Sequence, residues 1–375
     1  MKKILKITLI VLLLIAGAGV LYLDATEIAP KRVRIRTEMI RSEKIPEALS
    51  GLQILFFSDV HYNAFVDDSR LEALIEKIDS VGADVILFGG DLFDHPANQW
   101  PDDQAMDTIR NALSQLKAPL GKFAVLGNHD LESQSSGEMV SHLLFEAGFE
   151  VLNNQSVKIR NRGTQSISLV GLESEMLGNP DPEAAYQNIS PDSFTIALCH
   201  TPDTVLRLPQ DQTDLMLAGH SHGGQIYIPL LGTFYRANYA EIYYRGKHQV
   251  DDILLDVSNG IGTTRMDVRL FSPAEIVVYR LEHTEPAPET DSVPDNPDQS
   301  DGSNEAGTDE NPDGSDVPQD QPAENPEEYL KKERPETDDQ TRYGVPFFSF
   351  KVLFHSFLNP RHKDHQPRLR LQFDV

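Results

Sequence analysis

The sequence predicts an α/β fold, because short apolar runs of strand length alternate along the chain with segments of helical periodicity. Strands are predicted at 52–57, 85–88, 122–126, 167–170, 195–198 and 215–218. Apolar residues at helical spacing predict helices at 69–80 and 107–116. Two later segments, 253–257 and 275–281, have strand character with no helical pattern between them. They favour a mixed sheet or a second sheet.

Residues 1–23 are predicted to form a membrane anchor. Between residues 7 and 23 the only polar groups belong to Thr8 and Tyr22, and a helix of about 17–25 such residues crosses a bilayer. Three lysines precede the run and two acidic residues follow it within residues 24–27, which favours a cytoplasmic amino terminus and an extracytoplasmic domain. Residues 16–18, Ala-Gly-Ala, resemble a cleavage site, so a removable signal peptide is the alternative interpretation.

The rest of the chain divides by composition. Residues 24–50 are interpreted as a stalk and residues 51–281 as the globular domain. Residues 282–340 hold 20 acidic and 3 basic side chains, which is most of the net charge of −25. This segment is rich in proline and poor in apolar residues, so disorder is predicted, as a spacer or as an acidic arm that binds cations or a partner. No concentrated basic field is present, which disfavours a nucleic-acid surface.

Residues 341–375 form a basic, aromatic tail. Phe347, Phe350, Phe354 and Phe357 recur at helical spacing, which suits a membrane surface or a partner groove. Docking of this stripe on the globular domain is the alternative. The single cysteine, Cys199, lies in an apolar run and is interpreted as a buried, unreactive thiol. Any metal chemistry must therefore use His, Asp, Glu and Asn.

Residues that can bind metals follow five of the predicted strands directly. They are Asp59 and His61, then Asp91 and Asp94, then Asn128, His129 and Asp130, then His200, and finally His220 and His222. Because ligands collect at the carboxyl ends of strands in α/β sheets, these five segments are expected to converge on one rim. Imidazole, carboxylate and amide ligands suit a pair of transition-metal ions, and flanking glycines permit close approach of the backbone.

The five motifs together resemble those of the calcineurin-like metallophosphoesterase family, in its small bacterial membrane-associated or exported form. The resemblance is carried by Asp59-x-His61, Gly90-Asp91-x-x-Asp94, Gly127-Asn128-His129-Asp130, His200 and Gly219-His220-x-His222. The segments 199–203, 218–225 and 258–262 point to the subgroup, and the likeness covers about residues 50–281. It implies a four-layer sandwich of two mixed β-sheets flanked by helices.

The resemblance also implies roles for individual residues. Two divalent metal ions, manganese, zinc or iron, are expected. One would be held by Asp59, His61 and His222, and the other by Asn128, His200 and His220. Asp91 would bridge both ions, His129 would contact the phosphate and protonate the leaving group, and Asp130 could orient His129. A hydroxide that bridges the metals would then attack phosphorus in line.

Several residues near these motifs have two interpretations. Asp94 is either a partner of a metal ligand, which is favoured, or a loop cap, whereas His95, His142 and His248 are interpreted as ordinary residues. Protein phosphatases of the family carry arginine where this chain has Leu126, which argues against that activity. An aromatic and arginine cluster follows His222, and it could line a substrate cleft or form a hairpin that packs on the core; its members are Tyr227, Phe234, Tyr235, Arg236, Tyr239, Tyr243, Tyr244 and Arg245.

The sequence thus predicts a dinuclear phosphohydrolase tethered to the outer face of a bacterial cell membrane, with phosphodiesters favoured over phosphomonoesters. The expected partner is a phosphorylated small molecule, a lipid head group or a wall polymer, and the membrane itself is bound through the N-terminal helix. The alternative is a non-enzymatic envelope protein that binds through its acidic arm and aromatic tail. The metal identity, the natural substrate and the oligomeric state do not follow from the sequence.

Overall fold

The structure is a computed structural model that describes residues 2–285. The helices are α1 Lys2–Leu23, α2 Asp68–Asp79, α3 Asp103–Ser114, α4 Gln134–Glu146 and α5 Pro182–Tyr186. The strands are β1 Arg34–Ser42, β2 Gln53–Phe57, β3 Val85–Phe88, β4 Lys122–Ala124, β5 Glu150–Val151, β6 Gln155–Ile159, β7 Ile167–Gly171, β8 Thr195–Leu198, β9 Leu215–Ala218, β10 Tyr227–Ile228, β11 Gly232–Thr233, β12 Gly246–Val250, β13 Ile253–Val257 and β14 Glu275–His283.

The strands form two six-stranded mixed sheets and one small hairpin. The first sheet has the order β1-β14-β2-β3-β4-β5, in which only the β14–β2 pair is antiparallel. The second sheet has the order β12-β13-β9-β8-β7-β6, with parallel pairing from β13 to β7 and antiparallel strands at both edges. The predicted mixed sheets are therefore confirmed.

Alternate residues of the central strands fill two different cores. In β2, Phe56 packs between the two sheets, whereas Phe57 faces the helices of the first sheet. The outward face of the second sheet buries a third apolar cluster that includes Tyr186 of α5. Successive side chains of a strand point to opposite faces, so strands buried on both faces are apolar throughout. The resulting order is helices, sheet, sheet and a further helical layer, as predicted.

The N-terminal helix α1 is long and apolar enough to cross a membrane. The candidate span covers Lys2–Lys31 and its most apolar window has a mean hydropathy of 2.6. None of the α1 side chains is buried against the described part of the chain. An apolar helix that leaves its side chains exposed requires another apolar environment, which a bilayer provides.

The segment predicted as a stalk differs in the structure. Its central part, Arg34–Ser42, forms strand β1 and pairs in parallel with β14 over its full length. The charged side chains of this edge strand concealed its character, because only Ile40 is fully buried. The strand β14 extends to His283, slightly beyond the predicted domain end. The predicted acidic segment, from residue 286 onward, and the predicted tail 341–375 lie outside the described residues.

Arg36 of β1 connects the two sheets. Its guanidinium donates two hydrogen bonds of 2.9 Å to Asp256 of β13, and it also contacts Glu275 of β14 at 3.2 Å. Asp256 is fully buried and accepts a further hydrogen bond from the Tyr279 hydroxyl at 2.8 Å. A buried carboxylate with these partners depends on Arg36 for its compensating charge.

We therefore expect Arg36→Ala to lower the free energy of unfolding by about 3 kcal/mol, because it leaves the Asp256 charge buried without a counterion. Urea unfolding of the full chain in detergent measures the change. Arg34→Ala removes an exposed arginine from the same strand and serves as the control. Equal midpoints for the two variants would contradict this role of Arg36.

Candidate metal centre

The predicted site residues converge where the two sheets meet. Each follows a parallel strand at its carboxyl end: β2, β3 and β4 in the first sheet and β8 and β9 in the second. The side chains of seven candidate ligands are buried, namely Asp59, His61, Asp91, Asn128, His200, His220 and His222. The expected convergence on one rim is thus observed.

The ligand-type atoms form two adjacent groups. Asp59, His61 and His222 each offer an atom within 4.8 Å of the others, and so do Asp91, His200 and His220. Asp91 faces both groups, because its Oδ2 lies 3.1 Å from His200 Nε2 and 3.7 Å from His61 Nε2. A carboxylate in this position suits the bridging role that the sequence analysis expected.

Unpartnered buried atoms indicate that the site fits metal ions. Within residues 2–285, His61 Nε2, His200 Nε2 and Asn128 Oδ1 are buried with no hydrogen-bond partner. Buried polar atoms are nearly always satisfied, since leaving one unpaired costs about 1–3 kcal/mol. Three such atoms among carboxylates form a nitrogen and oxygen donor set suited to divalent transition metals.

Backbone carbonyls orient three of the imidazoles. His200 Nδ1 lies 2.7 Å from Gly89 O and His222 Nδ1 lies 3.2 Å from Gly262 O. His220 is turned the other way, with Nε2 2.7 Å from Asn238 O. In each ring the second nitrogen is therefore the one left for a metal, which is the usual arrangement of a ligating histidine.

The electrostatics of the site favour a charged Asp91 carboxylate and neutral His220 and His222 imidazoles. Burial raises the pKa of Asp91, but the neighbouring His200 and His129 outweigh it and hold that pKa well below the ordinary value. Burial lowers the pKa of His220 to about 4 and that of His222 to about 3. Metal ligands require ionised carboxylates and neutral imidazoles. Asp91, His220 and His222 have these protonation states, whereas, against the lowering by burial, Asp94 raises the pKa of His61 and Asp91 raises that of His200 to about 9, so a metal would displace a proton from each of those two rings.

Five of the candidate ligands adopt the left-handed backbone region. The φ angles of Asp59, His61, Asp91, His220 and His222 are 56°, 46°, 59°, 70° and 52°. Each costs about 1–2 kcal/mol for a residue with a Cβ, and such strain persists only where the surroundings enforce it. The backbone at Gly127 also lies close to Asp91, because a Cβ on Gly127 would overlap the Asp91 carboxylate.

Asp130 holds the loops of the first sheet. Its carboxylate accepts hydrogen bonds from the backbone N–H groups of Asp91, Leu92 and Gly127 at 2.8–2.9 Å, and the residue is fully buried. The sequence analysis placed Asp130 beside the His129 ring as a catalytic residue. The structure instead directs its oxygens to three amides, because the loops after β3 and β4 meet around it. Asp130 is therefore a positioning residue.

His129 lies at the edge of the metal groups with its Nδ1 occupied. The backbone N–H of His95 donates a hydrogen bond to this nitrogen at 3.2 Å, and Asp94 Oδ1 lies 3.4 Å from the same nitrogen. Burial lowers the pKa of His129 to about 4. Because both contacts fall on Nδ1, Nε2 is the nitrogen available for a phosphate oxygen.

Asp94 and His95 both belong to the site. Asp94 Oδ1 lies 3.2 Å from His61 Nδ1, which fits its favoured interpretation as the partner of a ligand. His95 was interpreted as ordinary, but its ring centroid lies 4.3 Å from that of His129 and its Nδ1 pairs with Glu132. The hydrogen bond that the His95 ring donates to the Glu132 carboxylate raises the pKa of His95. No motif distinguished His95, because its partners follow 34 and 37 residues later.

Arg269 was not identified from the sequence. Its side chain is buried and donates to the carbonyls of Ser272, Asn259, Gly260 and Gly262 at 2.5–3.2 Å. Gly262 O is also the acceptor that faces His222 Nδ1. Arg269 thus fixes the carbonyl that orients a candidate ligand, and nothing in its local sequence indicated this.

The aromatic and arginine cluster includes pairs that pack as predicted for a hairpin, whereas the predicted lining of a substrate cleft stays a prediction. Tyr227 and Tyr244 are buried, and the guanidinium carbons of Arg245 and Arg236 lie 3.8 and 4.3 Å from their ring centroids. These pairs pack the β10–β11 hairpin against the domain. Phe234, in contrast, remains 75% exposed.

We expect Asp130→Asn to lower the free energy of unfolding by about 3 kcal/mol, because an amide NH₂ group would face backbone donors. Thermal unfolding and hydrolysis of bis(p-nitrophenyl) phosphate should be measured together on the same preparations. Asp94→Asn is the matched control, since Asp94 contacts His61 and His129 rather than amides. Full stability of Asp130→Asn with loss of activity alone would restore the catalytic role.

Comparisons with known proteins agree with this geometry. The sequence profile of the calcineurin-like phosphoesterase family matches residues 52–224. The uncharacterized metallophosphoesterase YkuE of Bacillus subtilis is 32% identical over 271 residues, which cover 72% of this chain and 92% of that protein. The phosphodiesterase YaeI of Escherichia coli is 31% identical over 232 residues, covering 61% and 82% of the two chains.

A third relative has a named substrate. The UDP-2,3-diacylglucosamine pyrophosphatase LpxG of Chlamydia muridarum is 26% identical over 322 residues, with 71% of this chain and 94% of that protein covered. The three relatives match along most of their lengths, and the profile match includes every candidate ligand. The chain therefore belongs to the calcineurin-like phosphoesterase family.

Proposed function

We propose that this protein hydrolyses a phosphoester at the cell envelope, with a phosphodiester favoured over a phosphomonoester. The observation that carries the proposal is the position of Asp91 between two groups of buried ligand atoms, three of which lack any other partner in the described chain. The diester bond in the name of YaeI supports a phosphodiester, and the UDP-2,3-diacylglucosamine pyrophosphate bond in the name of LpxG supports a substrate with an acylated portion. Candidates are a phospholipid head group, a nucleotide-linked lipid and a wall polymer.

Two divalent ions are proposed as the cofactors. Asp59, His61 and His222 would hold one, Asn128, His200 and His220 the other, and Asp91 would contact both. Such ions supply Lewis acidity to the phosphoryl oxygens and to the attacking water. The chain itself contributes a fixed set of donors, since carbonyls and buried side chains orient the imidazoles before any substrate arrives.

His129 is proposed to contact the phosphoryl group through Nε2. Its Nδ1 accepts a hydrogen bond from the backbone N–H of His95, so the ring is oriented before the substrate binds. A neutral imidazole can donate one hydrogen bond to an oxygen on which charge develops, and its burial excludes competing water. The His95 ring packs behind it and pairs with Glu132.

The anchor is proposed to place this chemistry on the outer face of a bacterial membrane. The three lysines before the apolar segment and the acidic residues after it support this orientation. A site at the membrane surface suits a substrate with a lipid portion, although a wall polymer would also be within its reach.

Asp91→Asn is expected to reduce turnover of bis(p-nitrophenyl) phosphate by more than about 10³-fold, because it removes the carboxylate that would contact both ions. His129→Gln is expected to reduce it by about 10²-fold, because it removes a donor to the oxygen on which charge develops. The full chain in detergent would be assayed with manganese, zinc or iron(II), beside p-nitrophenyl phosphate. His142→Gln alters an exposed histidine of α4 and should leave turnover unchanged. Unaffected turnover in the Asp91 and His129 variants would refute the assignment.

Metal content gives an independent test. Elemental analysis of the purified protein should find two ions per chain, and one ion in each of the variants His200→Ala and His222→Ala. Chelation should lower the melting temperature, because an ion that binds only the folded state stabilises it. His142→Gln should keep both ions, and one ion or none in the wild type would contradict a dinuclear centre.

A further inference from the structure

The β10–β11 hairpin carries exposed apolar side chains. Leu230 and Leu231, in the turn between the two strands, are 97% and 78% exposed, and Phe234, directly after β11, is 75% exposed. Phe271, on the adjacent loop, is 54% exposed. We call these four residues the apolar hairpin face. Single exposed apolar residues are ordinary, but several on one hairpin and the loop bonded to it are typical of an interaction surface.

The loop beside this face is bonded to the end of the membrane anchor. The N–H of Arg269 donates to Ala25 O at 2.9 Å, and Ala25 lies two residues beyond the last residue of α1. Arg70 also donates to Pro30 O at 2.5 Å, and Ala25 and Ala29 are buried. The domain is therefore fixed directly to the chain where it leaves α1, without a free stalk between them.

Two further hydrogen bonds join the hairpin to the same loop. Tyr227 N donates to Leu270 O at 2.9 Å, and Leu270 N donates to Gln225 O at 3.0 Å. Phe271 is two residues from Arg269, a span of about 7 Å, and Leu230 is three residues from Tyr227, about 10 Å. The apolar hairpin face therefore belongs to the part of the domain that is hydrogen-bonded to the chain where it leaves α1.

The composition of the hairpin fits a lipid interface. Leucine side chains occupy the turn, and Phe234 and Tyr235 directly follow β11, with the Arg265 guanidinium carbon 4.4 Å from the Tyr235 ring centroid. Aromatic rings and cationic side chains are enriched at the level of the headgroups, and apolar side chains below it. A bilayer is the occupant favoured here, because the face is continuous with the segment that leaves the anchor.

The hairpin is also attached to the candidate metal centre on both sides. Gly224, two residues after His222, accepts a hydrogen bond from Thr233 Oγ1 at 2.9 Å. Beyond the hairpin, Asn238 O contacts His220 Nε2 at 2.7 Å. A hairpin seated in the headgroups would hold the site close to the bilayer surface.

We propose that the apolar hairpin face inserts into the lipid headgroup region beside α1 and presents the site to phosphoesters of membrane lipids. The insertion stands on the contacts above, whereas the choice of a lipid substrate rests on the proposed phosphoesterase function. A lipid with its phosphate at the interface could then be hydrolysed while its acyl chains remain in the bilayer.

Depth-dependent quenching tests the insertion. The full chain would be reconstituted in nanodiscs of phosphatidylethanolamine and phosphatidylglycerol, with a nitrobenzoxadiazole dye on Leu231→Cys and nitroxide-labelled acyl chains as the quencher. The native Cys199 is fully buried and should not react. We expect a blue-shifted emission that the nitroxide quenches at least twofold.

Phe145→Cys provides the control, because Phe145 is 73% exposed on α4, next to the sheet edge opposite β1. Its dye should keep the emission of an aqueous environment. The same aqueous emission at position 231 would overturn the proposal. A blue shift that grows with protein density but is not quenched by the nitroxide would also overturn the proposal. That result would assign the face to contact with a second copy of the chain.

Activity on a soluble and a membrane-embedded substrate tests whether the apolar hairpin face presents the site to membrane lipids. The double variant Leu230→Asn/Leu231→Asn should hydrolyse soluble bis(p-nitrophenyl) phosphate within twofold of the wild type. It should hydrolyse hexadecyl p-nitrophenyl phosphate embedded in the nanodisc at least tenfold more slowly. Equal rates on both substrates, or an equal loss on both, would overturn the presentation role. If the wild type hydrolyses neither substrate, the proposed function fails, and the quenching experiment still decides the insertion.

Discussion

Two buried carboxylates, Asp59 and Asp91, set the requirements for the rest of the structure. Both are almost completely removed from solvent, and a buried charge is costly unless opposite charge and hydrogen bonds surround it. Asp59 Oδ1 accepts the backbone N–H of His220, from the second sheet, and Asp91 Oδ1 accepts that of His129. The two sheets must therefore bring their strand ends together, and Arg36 pairs with Asp256 across the same interface.

Two buried polar side chains, Asp130 and Arg269, hold the strained loops through several backbone hydrogen bonds each. Asp130 accepts three backbone N–H groups around the first sheet, and Arg269 donates to four carbonyls beyond the second. A buried ion surrounded by oriented peptide dipoles is rigid, because movement of any one loop leaves a polar group unpaired. The candidate ligands are consequently held in their left-handed conformations by the chain itself.

The strands and the ligand residues could be predicted because their signals are local. Each apolar strand is followed within a few residues by its ligands, so periodicity and motif agree at the same point of the chain. Asp130 was identified, but its hydrogen bonds to amides in the loop after β3 could not be predicted, because Asp91 and Leu92 lie 39 and 38 residues away. β1 was missed because an edge strand with charged side chains resembles a linker. Arg269 and His95 act through contacts distant in sequence, which no local pattern reveals.

The parallel pairing of β1 with β14 determines where the chain leaves the domain. Arg34 lies opposite Glu275 and Ser42 opposite His283, so β14 ends beside the far end of the strand that enters from the anchor. Eight residues of extended chain separate the two ends by about 26 Å. The strongly acidic sequence that follows therefore begins about three screening lengths along the strand from the anchor, since the Debye length is about 8 Å in physiological salt. The described chain thus ends beside the end of β1 that is farther from the anchor.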